Sequence, residues 1–187
     1  MGYEVELKAH VADHEACQKR LSVLGDGLVP EVKEDVYYSL PGGPALFRIR
    51  LERYGSSQGT LLFTSKEKTI QNGVEVNVEH EFTASGEERD GAMAFARSLG
   101  YVEFVRKLKQ GVHCHIPFSG FPSLHVELVE VPPLGWFVEM EFVLDDQELV
   151  DQAKRNLQKA LRMLDIDQSA IESRYYMDML RAPAKQQ

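Results

Sequence analysis

The stretch YEVELKAHV, Tyr3 to Val11, alternates charged and aliphatic residues through Lys8. In an extended chain successive side chains point to opposite faces, so Glu4, Glu6 and Lys8 share one face and Val5 and Leu7 the other. Such a strand is either a half-solvated edge or one whose charged face looks into an enclosed, ion-lined site. The rest of the chain decides between the two.

Like-charged pairs at the same i, i+2 spacing recur at Glu4/Glu6, Arg48/Arg50, Lys66/Lys68, Glu79/Glu81, Lys107/Lys109 and Glu139/Glu141. A charged fraction of 27% gives roughly a dozen such pairs by chance, so their number proves little and their setting carries the argument. Most flank one apolar residue inside a strand-like run, as in EVE, RIR, KLK and EME. Two like charges about 5 Å apart at an effective dielectric of about 20 repel by roughly 3 kcal/mol, so stacking several pairs on one enclosed face calls for compensation. Hard cations suit the carboxylates, taking one or two of them and filling their other positions with water and phosphate oxygens. Arginine and lysine suit the phosphates. The pattern describes a metal-plus-polyphosphate site inside a barrel, with Val5, Leu7, Ile49, Leu108, Val138 and Met140 turned outward beneath helices.

Composition agrees with this class. The chain has 187 residues, 43% hydrophobic, with a formal net charge of −8, which fits one folded domain. The acidic balance argues against nucleic acid or a membrane surface as partner, since both need a basic face. No apolar run approaches the ~20 residues of a membrane span, and MGYEVELK lacks a signal-peptide pattern, so a cytoplasmic setting is expected. Cys17 and Cys114 form no disulfide framework or zinc motif and read as reduced packing residues.

About eight strands are expected, at 3–11, 35–40, 45–53, 59–68, 74–83, 101–116, 124–131 and 137–144, separated by turn signals such as LPGGP and VPPLG. Asp13 is expected to cap a helix ending at Gly25, and Ser85 with Glu88 one ending at Gly100. Asp145 with Glu148 should open a longer helix whose stripe Leu149, Ala153, Leu157, Ala160, Leu161 and Leu164 packs on the sheet. A last helix is expected over 168–181. Residues 1–181 read as one domain and 182–187 as a frayed tail.

EVELK resembles the Glu-x-Glu-x-Lys signature of the CYTH superfamily, the triphosphate tunnel metalloenzymes, which include class IV adenylyl cyclases, thiamine triphosphatases and inorganic tripolyphosphatases. In order along the chain, DVYY (35–38), LFRIRLE (46–52), LLFTSKEK (61–68), VEHEF (78–82), VRKLK (105–109), PLGWFVEMEF (133–142) and SRYYMDML (173–180) are similar to its successive elements. The resemblance implies an α+β fold built on a closed antiparallel eight-stranded β-barrel with flanking α-helices. It implies Mg²⁺ or Mn²⁺ on Glu4, Glu6, Glu139 and Glu141, with Glu81 or Glu79 contributing. Triphosphate would be bound by Lys8, Arg48, Arg50, Lys66, Lys107 and Lys109, with Glu6 and Lys8 in catalytic roles, and a homodimer is the family expectation. Hydrolysis of tripolyphosphate, thiamine triphosphate or a nucleoside triphosphate ranks first. Conversion of ATP to cyclic AMP and pyrophosphate is the alternative, and a non-catalytic polyphosphate or nucleotide sensor a third reading. Two departures stand out: Lys109 occupies a position where the family often has Arg, and Val129 one where many members carry Asp, with Glu127 on the same face as a substitute.

His113 and His115 share a strand face, but spacing supplies no third metal ligand, so they read as surface or packing residues; His10, His80 and His125 stay unassigned. Tyr37 and Tyr38 read as strand packing and Trp136 as a lid or packing residue. No phosphate-binding Gly-rich loop and no nucleophile elbow is present.

Overall fold

The structure is a computed structural model that describes residues 3–71 and 74–182, with the backbone alone over 66–71 and 74–79. Its strands are β1 (Tyr3–His10), β2 (Val29–Ser39), β3 (Ala45–Tyr54), β4 (Thr60–Gln71), β5 (Val74–Ser85), β6 (Val102–Phe118), β7 (Phe121–Val131) and β8 (Gly135–Leu144), and its helices α1 (His14–Leu24), α2 (Arg89–Ser98), α3 (Val150–Met163) and α4 (Tyr176–Arg181). The strands form one eight-stranded antiparallel sheet in the order β1-β8-β7-β6-β2-β3-β4-β5. The α+β class and all eight expected strands are present. β1 and β5 stand at the two ends of the order.

β2 begins at Val29, well before the expected Asp35, because Pro30 and the charges of EVKED mask its alternation. Asp13 caps α1, accepting from the Ala16 N–H, and Gly25 ends it. Ser85 caps a short 3₁₀ turn that leads into α2, so the Ser85/Glu88 capping box is replaced by a cap on Glu87 N–H. Asp146, one residue after the expected Asp145, caps the 3₁₀ turn before α3. The single helix expected over 168–181 is broken into a 3₁₀ turn at Gln168–Ala170, a bridge of Ile171 to Ala9 on β1, and α4. Most of the expected tail, residues 183–187, lies outside the described residues.

The chain divides into two compact units. The first comprises 1–31 and 110–179. There β1 pairs with β8, β8 with β7 and β7 with β6, all antiparallel. Ala9, Met140, Val138, Val126, Leu128, Cys114 and Ile116 turn one sheet face into a core shared with Cys17 and Leu21 of α1 and with Ala153, Leu157, Ala160 and Leu161 of α3. Val5 and Leu7 pack against this core, so the apolar half of the opening strand lies under helices as expected. The apolar stripe of α3 fills the same core. The second unit comprises 32–109 and 180–187. Its core joins Val36, Tyr38, Ile49, Leu51 and Leu61 to Met93 and Ala96 of α2. In both units the burial of one sheet face leaves the alternate residues of each strand for another purpose.

Candidate active site

Register assembles the charged face of the first unit. Glu6 lies opposite Glu141 and Lys8 opposite Glu139, while on the next strand His125 lies opposite Glu141 and Glu127 opposite Glu139. Glu4 and Glu6 are exposed and Glu141 and Glu139 half-buried. Burial, with the charges of Glu4 and Glu6, raises the pKa of the Glu141 carboxyl, and His125 offsets part of this. Like charges directly opposite on a sheet are destabilising, and a bound cation reverses that penalty. Oxygen donors in this number fit a hard cation that keeps several waters. Among the described residues no group of three or more His, Cys, Asp or Glu side chains is placed to hold a metal ion.

Lys8 and Glu139 are engaged by the C-terminal segment. The Lys8 ammonium donates to the Arg174 carbonyl oxygen at 2.5 Å and lies 4.1 Å from the centre of the Tyr176 ring. The Tyr176 hydroxyl donates to Glu139 Oε1 at 2.6 Å. Burial and the Glu139 charge push the Tyr176 phenol far above its ordinary range, so it stays a donor at any physiological pH. The backbone N–H of Glu172 donates to the Lys8 carbonyl at 2.8 Å, and Arg174 pins the Glu172 carboxylate, whose pKa falls to about 2.

In the second unit the cations gather on Asp35, whose side chain is wholly buried. Arg50 donates to it through Nε at 2.5 Å and Nη2 at 3.1 Å, and the Lys107 ammonium stands 2.7 Å away. Burial alone would raise the Asp35 pKa, but Lys107 and Arg50 outweigh it and hold the carboxyl well below the usual carboxylate range. Arg48 donates to Thr64 Oγ1 at 3.0 Å, and Thr64 donates to Glu81 Oε1 at 2.7 Å. The buried Nε of Arg48 has no hydrogen-bond partner among the described residues. Lys109, two residues beyond Lys107 on β6, is also buried. Lys66 pairs with Glu79 in the β4–β5 ladder, and both side chains lie outside the described residues. Glu81, expected among the metal ligands, belongs to the cationic unit.

A CYTH domain model matches residues 2–176. The chain belongs to the CYTH family. It is similar to the PH1819 protein of Pyrococcus horikoshii OT3, with 26% identity and a TM-score of 0.71 over 95% of this chain and 98% of that one. A candidate adenylate cyclase of Vibrio parahaemolyticus shares the fold at 20% identity and TM-score 0.69, over 96% and 98% of the two chains. So does a Hippeastrum protein with a dominant triphosphatase activity, at 14% identity and TM-score 0.63, over 97% and 95%. No curated protein matches the sequence.

Within this CYTH chain the departure at position 129 has a structural account. Val129 is fully buried in an apolar cluster with Val131, Phe137, Tyr176 and Met179, where it supports α4. Glu127 is buried beside the carboxylate row, in register with Glu139 and His113. Asp35 and Tyr176 are the residues that reading the sequence for site roles missed. A lone acid before VYY carries no pairing signal, and a tyrosine in SRYYMDML reads as packing. Trp136 stacks on His14 at 4.2 Å as a packing residue. Burial raises both thiols, Cys17 and Cys114, to about 11, which suits inert core cysteines.

Proposed function

We propose that this CYTH chain is a divalent-metal-dependent enzyme acting on a linear triphosphate, with hydrolysis as its reaction. The observation that carries the reading is the segregation of charge: each unit buries one sheet face in a core and uses the alternate positions for ions. Acids gather around Glu141 in the first unit, and Arg50 and Lys107 gather around Asp35 in the second. Glu4, Glu6, Glu139 and Glu141 would hold Mg²⁺ or Mn²⁺, which supplies Lewis-acid stabilisation of phosphate oxygens when bound.

Arg48, Arg50, Lys66, Lys107 and Lys109 would bind the phosphates, Arg50 adding its charge while its Nε and Nη2 stay on Asp35. Asp35 keeps Arg50 and Lys107 oriented and charged in a buried setting, so little rearrangement is needed as charge develops on the transferred group. Lys8, fixed by Arg174 and Tyr176, adds a positioned positive charge beside Glu6 and Glu139. Closure of the sheet into a tunnel, action of residues 1–181 as one domain, a cytoplasmic setting and a homodimer belong to the same proposal. No helix among the described residues is long and apolar enough to cross a membrane.

Phosphorus NMR with Mg²⁺ or Mn²⁺ and, separately, tripolyphosphate, thiamine triphosphate and ATP tests the reading. Orthophosphate release supports it. Cyclic AMP with pyrophosphate would make the chain a cyclase instead, and folded protein that turns over none of the three would favour a polyphosphate sensor. Replacing Glu4 and Glu6 together by Ala should abolish turnover while leaving triphosphate binding; unchanged turnover removes their metal role.

A further inference from the structure

His113 and His115 gain a third histidine across the sheet that spacing along the chain cannot reveal. The β6–β7 register sets His115 opposite His125, and His113 opposite Glu127. His125 Nδ1 lies 3.4 Å from His115 Nε2. The ring of His125 is 5.5 Å from that of His113 and 5.1 Å from that of His115, while the rings of His113 and His115 are 6.4 Å apart. Metal–nitrogen bonds of about 2.0–2.1 Å in a tetrahedral site put two ligating nitrogens about 3.4 Å apart.

Each imidazole also turns one nitrogen to a carboxylate. His113 Nδ1 is 3.3 Å from Glu31 Oε2, His115 Nδ1 is 3.5 Å from Asp26 Oδ2, and His125 Nε2 is 3.4 Å from Glu127 Oε1. The Glu31 side chain is wholly buried and that of Glu127 nearly so. A carboxylate that accepts a hydrogen bond from one ring N–H leaves the other nitrogen as a lone pair, the arrangement metal-binding histidines use. His115 Nε2 and His125 Nδ1 face each other at 3.4 Å, the separation of two nitrogens held on one tetrahedral ion.

We propose that His113, His115 and His125 form a site for a borderline divalent ion of the zinc, cobalt or nickel kind, adjoining the hard-cation carboxylates Glu139 and Glu141 but using a different donor set. Imidazole donors suit such ions, whereas carboxylate and water suit Mg²⁺ and Mn²⁺. As the side chains stand, no three His, Cys, Asp or Glu groups among the described residues are placed to hold a metal ion, so the triad closes only on binding. Closing it needs ring rotation at a solvent-facing position, where the side chains of His115 and His125 are 49% and 31% exposed.

The test titrates the whole chain with Zn²⁺ alone, by competition against a chromophoric chelator, and with Co²⁺ alone, by its visible absorption. One ion per chain at low-micromolar affinity, with tetrahedral cobalt bands, is expected. The double variant His115→Ala/His125→Ala should bind at least 100-fold more weakly, and Asp26→Asn about 10-fold more weakly. Glu4→Gln/Glu6→Gln should stay within threefold of wild type. Circular dichroism checks each fold, and Asp26→Asn, at an exposed side chain, keeps the test standing if the double variant misfolds. No low-micromolar Zn²⁺ binding by wild type would overturn the proposal, as would undiminished binding by the histidine or Asp26 variants. Loss of the ion in the Glu4/Glu6 variant would place it on the carboxylates and overturn it equally.

Discussion

Replacing Asp35 by asparagine keeps the shape of the side chain and removes the charge on which Arg50 and Lys107 converge at 2.5, 3.1 and 2.7 Å. At an effective dielectric of about 20, a cation centred about 4 Å from a carboxylate is attracted by about 4 kcal/mol, so the two partners supply roughly 8 kcal/mol gross. Much of that offsets the desolvation of three ions. Removing one member of a buried network leaves its partners uncompensated and costs about 3–5 kcal/mol net, a large share of a typical stability of about 5–15 kcal/mol. Urea unfolding followed by circular dichroism should show Asp35→Asn losing that amount through a lower midpoint at unchanged slope. Tripolyphosphate should then raise the melting temperature of the variant more than that of wild type, because it returns a counter-charge to the released cations. The pH dependence has a definite sign. The native Asp35 pKa lies below the unfolded value of about 3.9, so its stabilisation is complete above that value and fades as pH falls toward the native one. The stability curves of wild type and variant should therefore converge in acid. A loss below about 1 kcal/mol, or curves that stay parallel through this range, would refute the reasoning.

Tyr176→Phe removes the phenolic donor to Glu139 and should cost about 1.5–3 kcal/mol, as for a hydrogen bond to a charged group, measured by chemical unfolding. Glu141→Gln removes a charge directly opposite Glu6 and should stabilise the protein by up to about 1 kcal/mol in EDTA, while reducing the stabilisation that Mg²⁺ confers in a thermal shift assay. A Cβ at Gly111 would meet the Leu128 carbonyl oxygen at 2.0 Å and Val129 Cα at 2.8 Å. Gly111→Ala should therefore force β6 and β7 apart and cost about 1–3 kcal/mol or more, read as a lower melting temperature; an unchanged value would count against this close approach.

Strands whose two faces differ sharply were legible in the sequence. EVELK and WFVEMEF each name their buried and ionic sides, and β1 and β8 pair so that those sides coincide. What remained hidden depends on partners far apart in the chain. Asp35 is a single acid in an otherwise ordinary strand, and its role appears only when Arg50 and Lys107 arrive from two other strands. His125 joins His115 through register alone. The break in the expected last helix arises because Ile171 bridges to Ala9, a tertiary pairing that overrides local helix propensity. The packing of Val129 is visible only beside Phe137, Tyr176 and Met179.

The contact of Lys8 with the Arg174 carbonyl joins residues 166 positions apart. The first unit is drawn from two segments far apart, 1–31 and 110–179, so during synthesis β1 emerges long before β8, its ladder partner, exists. Closing so long a loop carries an entropy cost before any contact compensates it, and non-local strand pairing of this kind folds slowly. A nascent chain halted before Arg174 would carry Lys8 without that carbonyl or the Tyr176 ring, and Glu139 without its phenolic donor. Assembly of this ionic face thus waits on synthesis of the segment that carries Arg174 and Tyr176.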